Sequence, residues 1–266
     1  MFFDNNNVTE AVKEAGQKKQ KGKDEETLSD FLRTIIMAAL AATIIRCFAY
    51  EPFNIPSGSM IPTLEVGDYI FVSKFSYGYS AKSSFFGLPI FNGRILFGEG
   101  NKPQRGDVVV FKLPSDPSVD YIKRLIGVPG DTVQVKEGRL YVNGVIVERK
   151  TEGSRDEKVA DATITYQLYQ EKLPNKTYAM MERSDDWALD NTQLFTVPSG
   201  YYFMMGDNRD NSTDSRVLDH VGFVPEENLV GRAETIFFSL EEGAHFYEFW
   251  RWPVTIRFDR IFNKII

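Results

Sequence analysis

The sequence predicts a mostly β protein, a β core with an inserted β subdomain, preceded by one N-terminal transmembrane helix. Three observations carry that expectation. Asp68-Tyr69-Ile70-Phe71-Val72 and Asp107-Val108-Val109-Val110-Phe111 are short apolar runs, each entered through Gly-Asp. Arg139 to Val147 reads as two strands around Asn143-Gly144, the strongest short hairpin signal. The long apolar helical stretch, Leu28 to Tyr50, lies ahead of these runs, and no long helical period follows it.

Residues 1–27 are polar, with five Lys and six Asp or Glu, and read as a solvated tail. In the apolar stretch, twelve uncharged residues separate Arg33 from Arg46. Twelve residues make about 18 Å of helix. A bilayer core is about 30 Å thick, so a span needs both arginines as snorkelling ends and an extension to Tyr50. The competing readings are an amphipathic or buried core helix and a cleaved leader. Against the leader, Tyr50-Glu51-Pro52-Phe53 stands where a small-residue cleavage site would be. Pro52 to Ser73 holds no Lys or Arg, so the lysine-bearing tail is expected on the cytoplasmic side and the bulk of the chain exported. Asp120 to Ile126 alternates and ends at Val128-Pro129-Gly130-Asp131, a turn signal. Residues 148–196 are polar and weakly patterned, and are expected to belong to the inserted subdomain with long loops. Strand-like runs resume at Tyr201 to Met205 and Ala233 to Leu240.

Composition removes several function classes. A net charge of -6 argues against nucleic acid as a partner, because phosphate neutralisation needs clustered Lys and Arg. One cysteine, Cys47, forms no internal disulfide and no Cys-based zinc cluster. Two histidines, His220 and His245, are too few for most His-based metal sites, and neither accompanies a GxSxG nucleophile elbow.

Three segments bear chemistry. Pro56-Ser57-Gly58-Ser59-Met60-Ile61-Pro62 sets two serines about a glycine between prolines, a way to present one hydroxyl rigidly; an ordinary Ser/Gly/Pro loop is the competing reading. In Asp120-Tyr121-Ile122-Lys123-Arg124-Leu125, strand alternation puts Tyr121, Lys123 and Leu125 on one face and Arg124 on the other. Burial there would lower the Lys123 pKa and let a neutral amine take a proton from a serine; a snorkelling surface lysine is the commoner alternative. Gly206 to Arg216 is dense in Asp, Asn, Ser and Arg and reads as a hydrogen-bonded loop network with an Asp214–Arg216 ion pair and Ser212 as a residue that orients a base. A calcium loop does not fit, since the central glycine is missing and Val221 stands where the final Glu would be.

PSGSMIPTLEVGDYIFVSKFSYG, RGDVVVF with DYIKRLIGVPGD, and GDNRDNSTDSR, in that order after one apolar anchor, resemble the boxes of bacterial type I signal peptidases. The resemblance implies a signal-peptidase-like β catalytic core and a Ser-Lys serine endopeptidase that removes signal peptides after Ala-x-Ala sites through an acyl-enzyme. It implies Ser59 as nucleophile, Lys123 as general base, the Ser57 hydroxyl and Ser59 N–H as oxyanion donors, and Ser212, Asp214 and Arg216 as support. Phe53, Ile55, Met60, Leu64, Ile70, Tyr121 and Ile122 match positions lining pockets for small residues. No metal or cofactor is implied. The implied partners are signal peptides of exported preproteins and membrane lipid, and the implied setting is the bacterial inner membrane, single-pass, with the catalytic domain on the periplasmic side. The expected boundaries are a cytoplasmic tail at 1–27, an anchor at 28–50, core at 51–131, inserted subdomain at 132–197, and core with an aromatic tail at 198–266. Val217-Leu218-Asp219-His220 lengthens the link after Arg216 relative to the family pattern. Two other classes remain: Ser-Lys self-cleaving repressors, which are soluble and bind DNA, and a tethered β-rich binding protein with no need of Ser59 and Lys123 together.

Overall fold

The computed structural model describes residues 28–43, 49–80, 94–95, 102–159, 162–244 and 247–266. The chain divides into two compact units, residues 1–46 and 47–266. In the first, residues 28–43 form a helix, α1, that exposes Leu28, Phe31, Leu32, Ile35, Ile36, Met37 and Leu40. Among the described residues, no helix is long and apolar enough to cross a membrane. Residues 44–48 of the expected span lie outside the described residues, as does the expected tail at 1–27, and Tyr50, expected at the end of the anchor, opens a strand instead.

The second unit is built of strands: β1 (Tyr50–Asn54), β2 (Asp68–Ser73), β3 (Tyr79–Ser80), β4 (Arg94–Ile95), β5 (Val108–Lys112), β6 (Asp120–Gly127), β7 (Thr132–Lys136), β8 (Arg139–Val142), β9 (Val145–Ile146), β10 (Glu148–Val159), β11 (Ala162–Leu173), β12 (Lys176–Glu182), β13 (Phe195–Thr196), β14 (Tyr201–Met205), β15 (Val224–Pro225) and β16 (Leu229–Ser239). The largest sheet has seven strands in the order β1-β2-β16-β5-β6-β14-β15. Its pairs are antiparallel. The bulges of β16 between Leu229 and Gly231, Ala233 and Thr235, and Ile236 and Phe238 let one long strand pair with both β2 and β5 and curl the sheet.

Central β5 shows why its sequence reads as an unbroken apolar run. Val108 and Val110 enter one core with Ile55, Met60, Leu64, Ile70 and Val72, while Val109 and Phe111 enter another with Leu125, Tyr202 and Met204. A strand buried on both faces has no polar side to alternate with. A third core joins the four-stranded sheet β13-β7-β8-β9 to the end of the main sheet through Ile126, Val133, Val135, Leu140, Phe195, Phe203 and Met205. The Asn143-Gly144 turn forms as the sequence predicts, with positive φ at both positions (54° and 75°), the condition for a two-residue hairpin turn that follows strand twist.

Residues 148–182 are β, as expected of the inserted subdomain, but differ in how little of them is loop. In place of long loops they form a three-stranded meander, β10-β11-β12, with two twelve-residue strands. The strand signal was present in β11: Thr163-Ile164-Thr165-Tyr166-Gln167-Leu168 alternates, with Ile164, Tyr166 and Leu168 on the face that meets Ile61 and Met181. The buried part of the meander braces the rest: Tyr166 and Met181 pack on Ile61, and Met181 N–H donates to the Asp207 carbonyl at 2.9 Å.

One ion pair ties these parts together. Arg124 Nε and Nη2 each lie 2.7 Å from an Asp207 carboxylate oxygen, and its Nη1 donates to the carbonyls of Gly106 and Ile266. The guanidinium stacks 4.0 Å from the Tyr178 ring centroid, and both charged side chains are fully buried. Arg124→Leu therefore leaves a buried carboxylate without its partner and is expected to cost about 3–5 kcal/mol. Urea unfolding checks this; a loss below about 1 kcal/mol, the scale of a surface pair, would contradict the assigned burial.

Candidate active site

After β1 the chain turns through Pro56 into a single 3-10 turn, Gly58–Met60, that carries Ser59. Ser57 precedes it in extended backbone and makes no capping bond with its side chain. Ser57 Oγ lies 3.4 Å from Ser59 Oγ. On β6, Lys123 projects to the same point: its Nζ is 2.7 Å from Ser59 Oγ and 2.9 Å from the Ile122 carbonyl oxygen. Ser59 is 8% exposed and Lys123 4%. Tyr121 flanks the amine on the expected face, its ring centroid 5.2 Å from Nζ.

Burial disfavours the ammonium and pulls the Lys123 pKa from 10.5 down to about 8; Asp214 and Asp207 act in the opposite direction and are overcome. Both carboxylates are engaged elsewhere. Asp207 is held by Arg124. Asp214 takes Arg216 Nε and Nη2 at 2.9 Å each and the Gly206 N–H at 3.0 Å. Desolvation alone would raise the Asp214 pKa, but Arg216 and these hydrogen bonds outweigh it and hold the carboxyl below its ordinary range.

The loop 206–216 closes over the serine. Asn208 N–H donates to the Ser59 carbonyl and Asn208 Nδ2 to the Gly58 carbonyl, each at 3.1 Å. A Cβ on Gly206 would fall 2.6 Å from the Ser59 carbonyl oxygen and 2.2 Å from Ser212 Oγ, so only glycine lets the loop approach this closely. Ser212 is buried beside Asp214, whose carboxyl it helps to hold as a carboxylate, and among the described residues its hydroxyl makes no hydrogen bond to Lys123.

The structure thus brings Ser57, Ser59, Lys123 and Tyr121 together, with Asp214 and Arg216 paired behind them. Of the residues expected to line pockets, Ile55, Met60, Leu64 and Ile70 share one apolar cluster against which Phe53 and Ile122 pack; Tyr121 joins the neighbouring cluster. Met60, Leu64 and Ile70 have no exposed surface, whereas Phe53, Tyr121 and Ile122 are half-buried. His220 is exposed and shares a 3.0 Å hydrogen bond with Tyr121; His245 lies outside the described residues. The sequence reading missed Asn208, the Arg124–Asp207 pair, and Arg209, whose Nη2 is 2.5 Å from Glu171 beneath the loop. An arginine on the opposite face of the lysine strand was the available signal for the second. The arrangement suits proton exchange between a hydroxyl and a dehydrated amine.

A family model described as signal peptidase, peptidase S26, matches residues 28–238. A signal peptidase I of Pseudomonas aeruginosa is 42% identical over 83% of this chain and 76% of its own. One from Rickettsia conorii is 46% identical over 74% of this chain and 75% of its own. A solved signal peptidase I from Enterococcus faecalis V583 is 30% identical, with a TM-score of 0.30 over 49% of this chain and 96% of that one. The family match and the two curated relatives place this chain, a peptidase that processes signal peptides, in the signal peptidase family, peptidase S26.

Proposed function

We propose that the chain is a membrane-bound serine endopeptidase that cuts preproteins after small-x-small sites, with Ser59 as nucleophile and Lys123 as general base. The observation that carries this reading is the 2.7 Å contact between Lys123 Nζ and Ser59 Oγ inside a dehydrated site. Neutral Lys123 takes the Ser59 proton as Oγ attacks the carbonyl carbon at the cleavage site. The oxyanion is met by the Ser57 hydroxyl and the Ser59 N–H, a donor that the first turn of a 3-10 helix leaves without an intrahelical partner. The tetrahedral adduct collapses, the C–N bond breaks, and Lys123 returns the proton to the leaving amine. Water, deprotonated by the same lysine, then hydrolyses the acyl-enzyme ester. Asp214 and Arg216 hold the covering loop, with Ser212 buried beside them as a further support near Lys123. Phe53, Tyr121 and Ile122 present the pocket surface, and Ile55, Met60, Leu64 and Ile70 support its floor, which excludes large side chains by shape.

The same reading makes residues 28–50 a single-pass anchor in a bacterial inner membrane, N-terminus cytoplasmic and catalytic domain periplasmic. The exposed apolar residues of α1, Leu28, Phe31, Leu32, Ile35, Ile36, Met37 and Leu40, support this. The exposed Tyr247, Phe249 and Trp250 are suited to the lipid interface. Replacing all three by Ser in a chain lacking residues 1–48 should weaken its binding to phospholipid vesicles; unchanged binding would rule out that contact.

Cleavage of a purified preprotein with an Ala-x-Ala site tests the central reading. Ser59→Ala and Lys123→Met should each lower kcat by roughly 10³-fold or more with folding intact. Because the base acts only when neutral, wild-type kcat/KM should rise with pH through about 8, where Lys123 loses its proton. Activity retained in either variant would place the catalytic groups elsewhere.

A further inference from the structure

His220 belongs to no group that the proposed mechanism uses, yet it contacts the site. It stands in the lengthened link after Arg216, a turn built on the Val217 carbonyl, which accepts from the N–H groups of His220, Val221 and Gly222 at 3.2, 3.0 and 3.1 Å. Gly222 takes φ 55°, and a Cβ there would meet the Leu218 carbonyl oxygen at 2.9 Å, so the turn is closely fitted. Two contacts latch it to the strand side of the site. Ser115 Oγ donates to the His220 carbonyl at 2.8 Å, and His220 Nε2 lies 3.0 Å from Tyr121 Oη. The two rings also meet at 6.1 Å between centroids. On its other side the Tyr121 ring packs on Phe111 and covers the Lys123 amine, 5.2 Å from its centroid.

We propose that His220 is a positioning residue for peptide cleavage: it pins the Tyr121 phenol so that the ring stays as one wall of the dry pocket around Lys123. The proposal rests on the Ser59–Lys123 reading above. A phenol held at one end by Phe111 and at the other by an imidazole cannot swing away, whereas a freed ring admits water to the amine. Desolvation is the larger influence on Lys123, so hydration returns its pKa toward the ordinary value. The other charges facing the amine, Asp207 and Asp214, remain paired with Arg124 and Arg216. Around His220 and Tyr121, Asp120 is engaged by Lys112, and Asp219 adjoins His220 in the exposed turn.

The test is the pH profile of kcat/KM on an Ala-x-Ala preprotein for full-length wild type, His220→Ala, His220→Gln and Tyr121→Phe, alone and combined. His220→Ala should lower kcat/KM at neutral pH about three- to tenfold, the scale of one hydrogen bond. It should also move the ascending limb upward by roughly half to one pH unit and recover at alkaline pH. His220→Gln, which keeps a hydrogen-bonding group, should restore most of the loss, and His220→Ala should add nothing in a Tyr121→Phe background. An unmoved limb, a loss uniform with pH, or an equal effect in the Tyr121→Phe background would overturn the proposal. If His220→Ala unfolds, Tyr121→Phe decides, since it removes the other half of the same hydrogen bond: a raised ascending limb supports the proposal, and an unmoved one overturns it. Activity surviving in Lys123→Met would remove the underlying site reading and this proposal with it, whereas full dependence on Lys123 with an unchanged His220→Ala removes this proposal alone.

Discussion

The constraint on which the site depends is the dehydration of one lysine. Lys123 is almost wholly buried and, among the described residues, has the Ser59 hydroxyl and the Ile122 carbonyl as its hydrogen-bond partners. Two carboxylates lie near enough to hold it as an ammonium, and each is taken by an arginine: Asp207 by Arg124, Asp214 by Arg216. Arginine keeps its charge under burial and meets a carboxylate with two parallel bonds, so it competes well for these acids. The lysine is left to burial, which favours the free amine.

That arrangement has a thermodynamic cost carried by the fold. A native pKa near 8 against an ordinary 10.5 corresponds to about 3 kcal/mol. Between those two values the unfolded chain binds more protons than the native one, so stability rises with pH across that window and the penalty is fully present below it. Neither Arg–Asp pair explains net stability, since desolvation offsets much of its attraction. What the pairs do is fix geometry. Arg124 sits next to Lys123 on β6 and grips the loop from below; Asn208 on that loop grips the Ser59 turn from above. The β10–β12 meander supports both through Ile61–Tyr166–Met181 and through Glu171 beneath Arg209.

Much of this was legible in the sequence, for reasons that vary by residue. The Asn143-Gly144 hairpin was readable because a two-residue turn needs two positive φ angles, which few residue pairs tolerate. Lys123 beside Tyr121 was readable because strand alternation fixes which neighbours share a face. Asp214 with Arg216 was readable because the two residues stand two positions apart in a loop too polar to be a plain turn. The meander was readable in part and missed: Thr163 to Leu168 alternates as a half-buried strand does, whereas Glu171 and Met181 are buried by contacts with distant segments that no local pattern announces. Nor was Asn208 readable, since its partners are carbonyls about 150 residues away in sequence. Among the residues expected to line pockets, sequence could not separate those with exposed surface from Met60, Leu64 and Ile70, which have none.

The most direct measurement is a titration of the lysine side chains by NMR, with isotope-labelled lysine and Lys123→Met to assign the resonance. One lysine, missing from the variant, should titrate near 8. A Lys123 resonance that titrates at its ordinary 10.5 would contradict the claim that a dehydrated amine sits against Ser59.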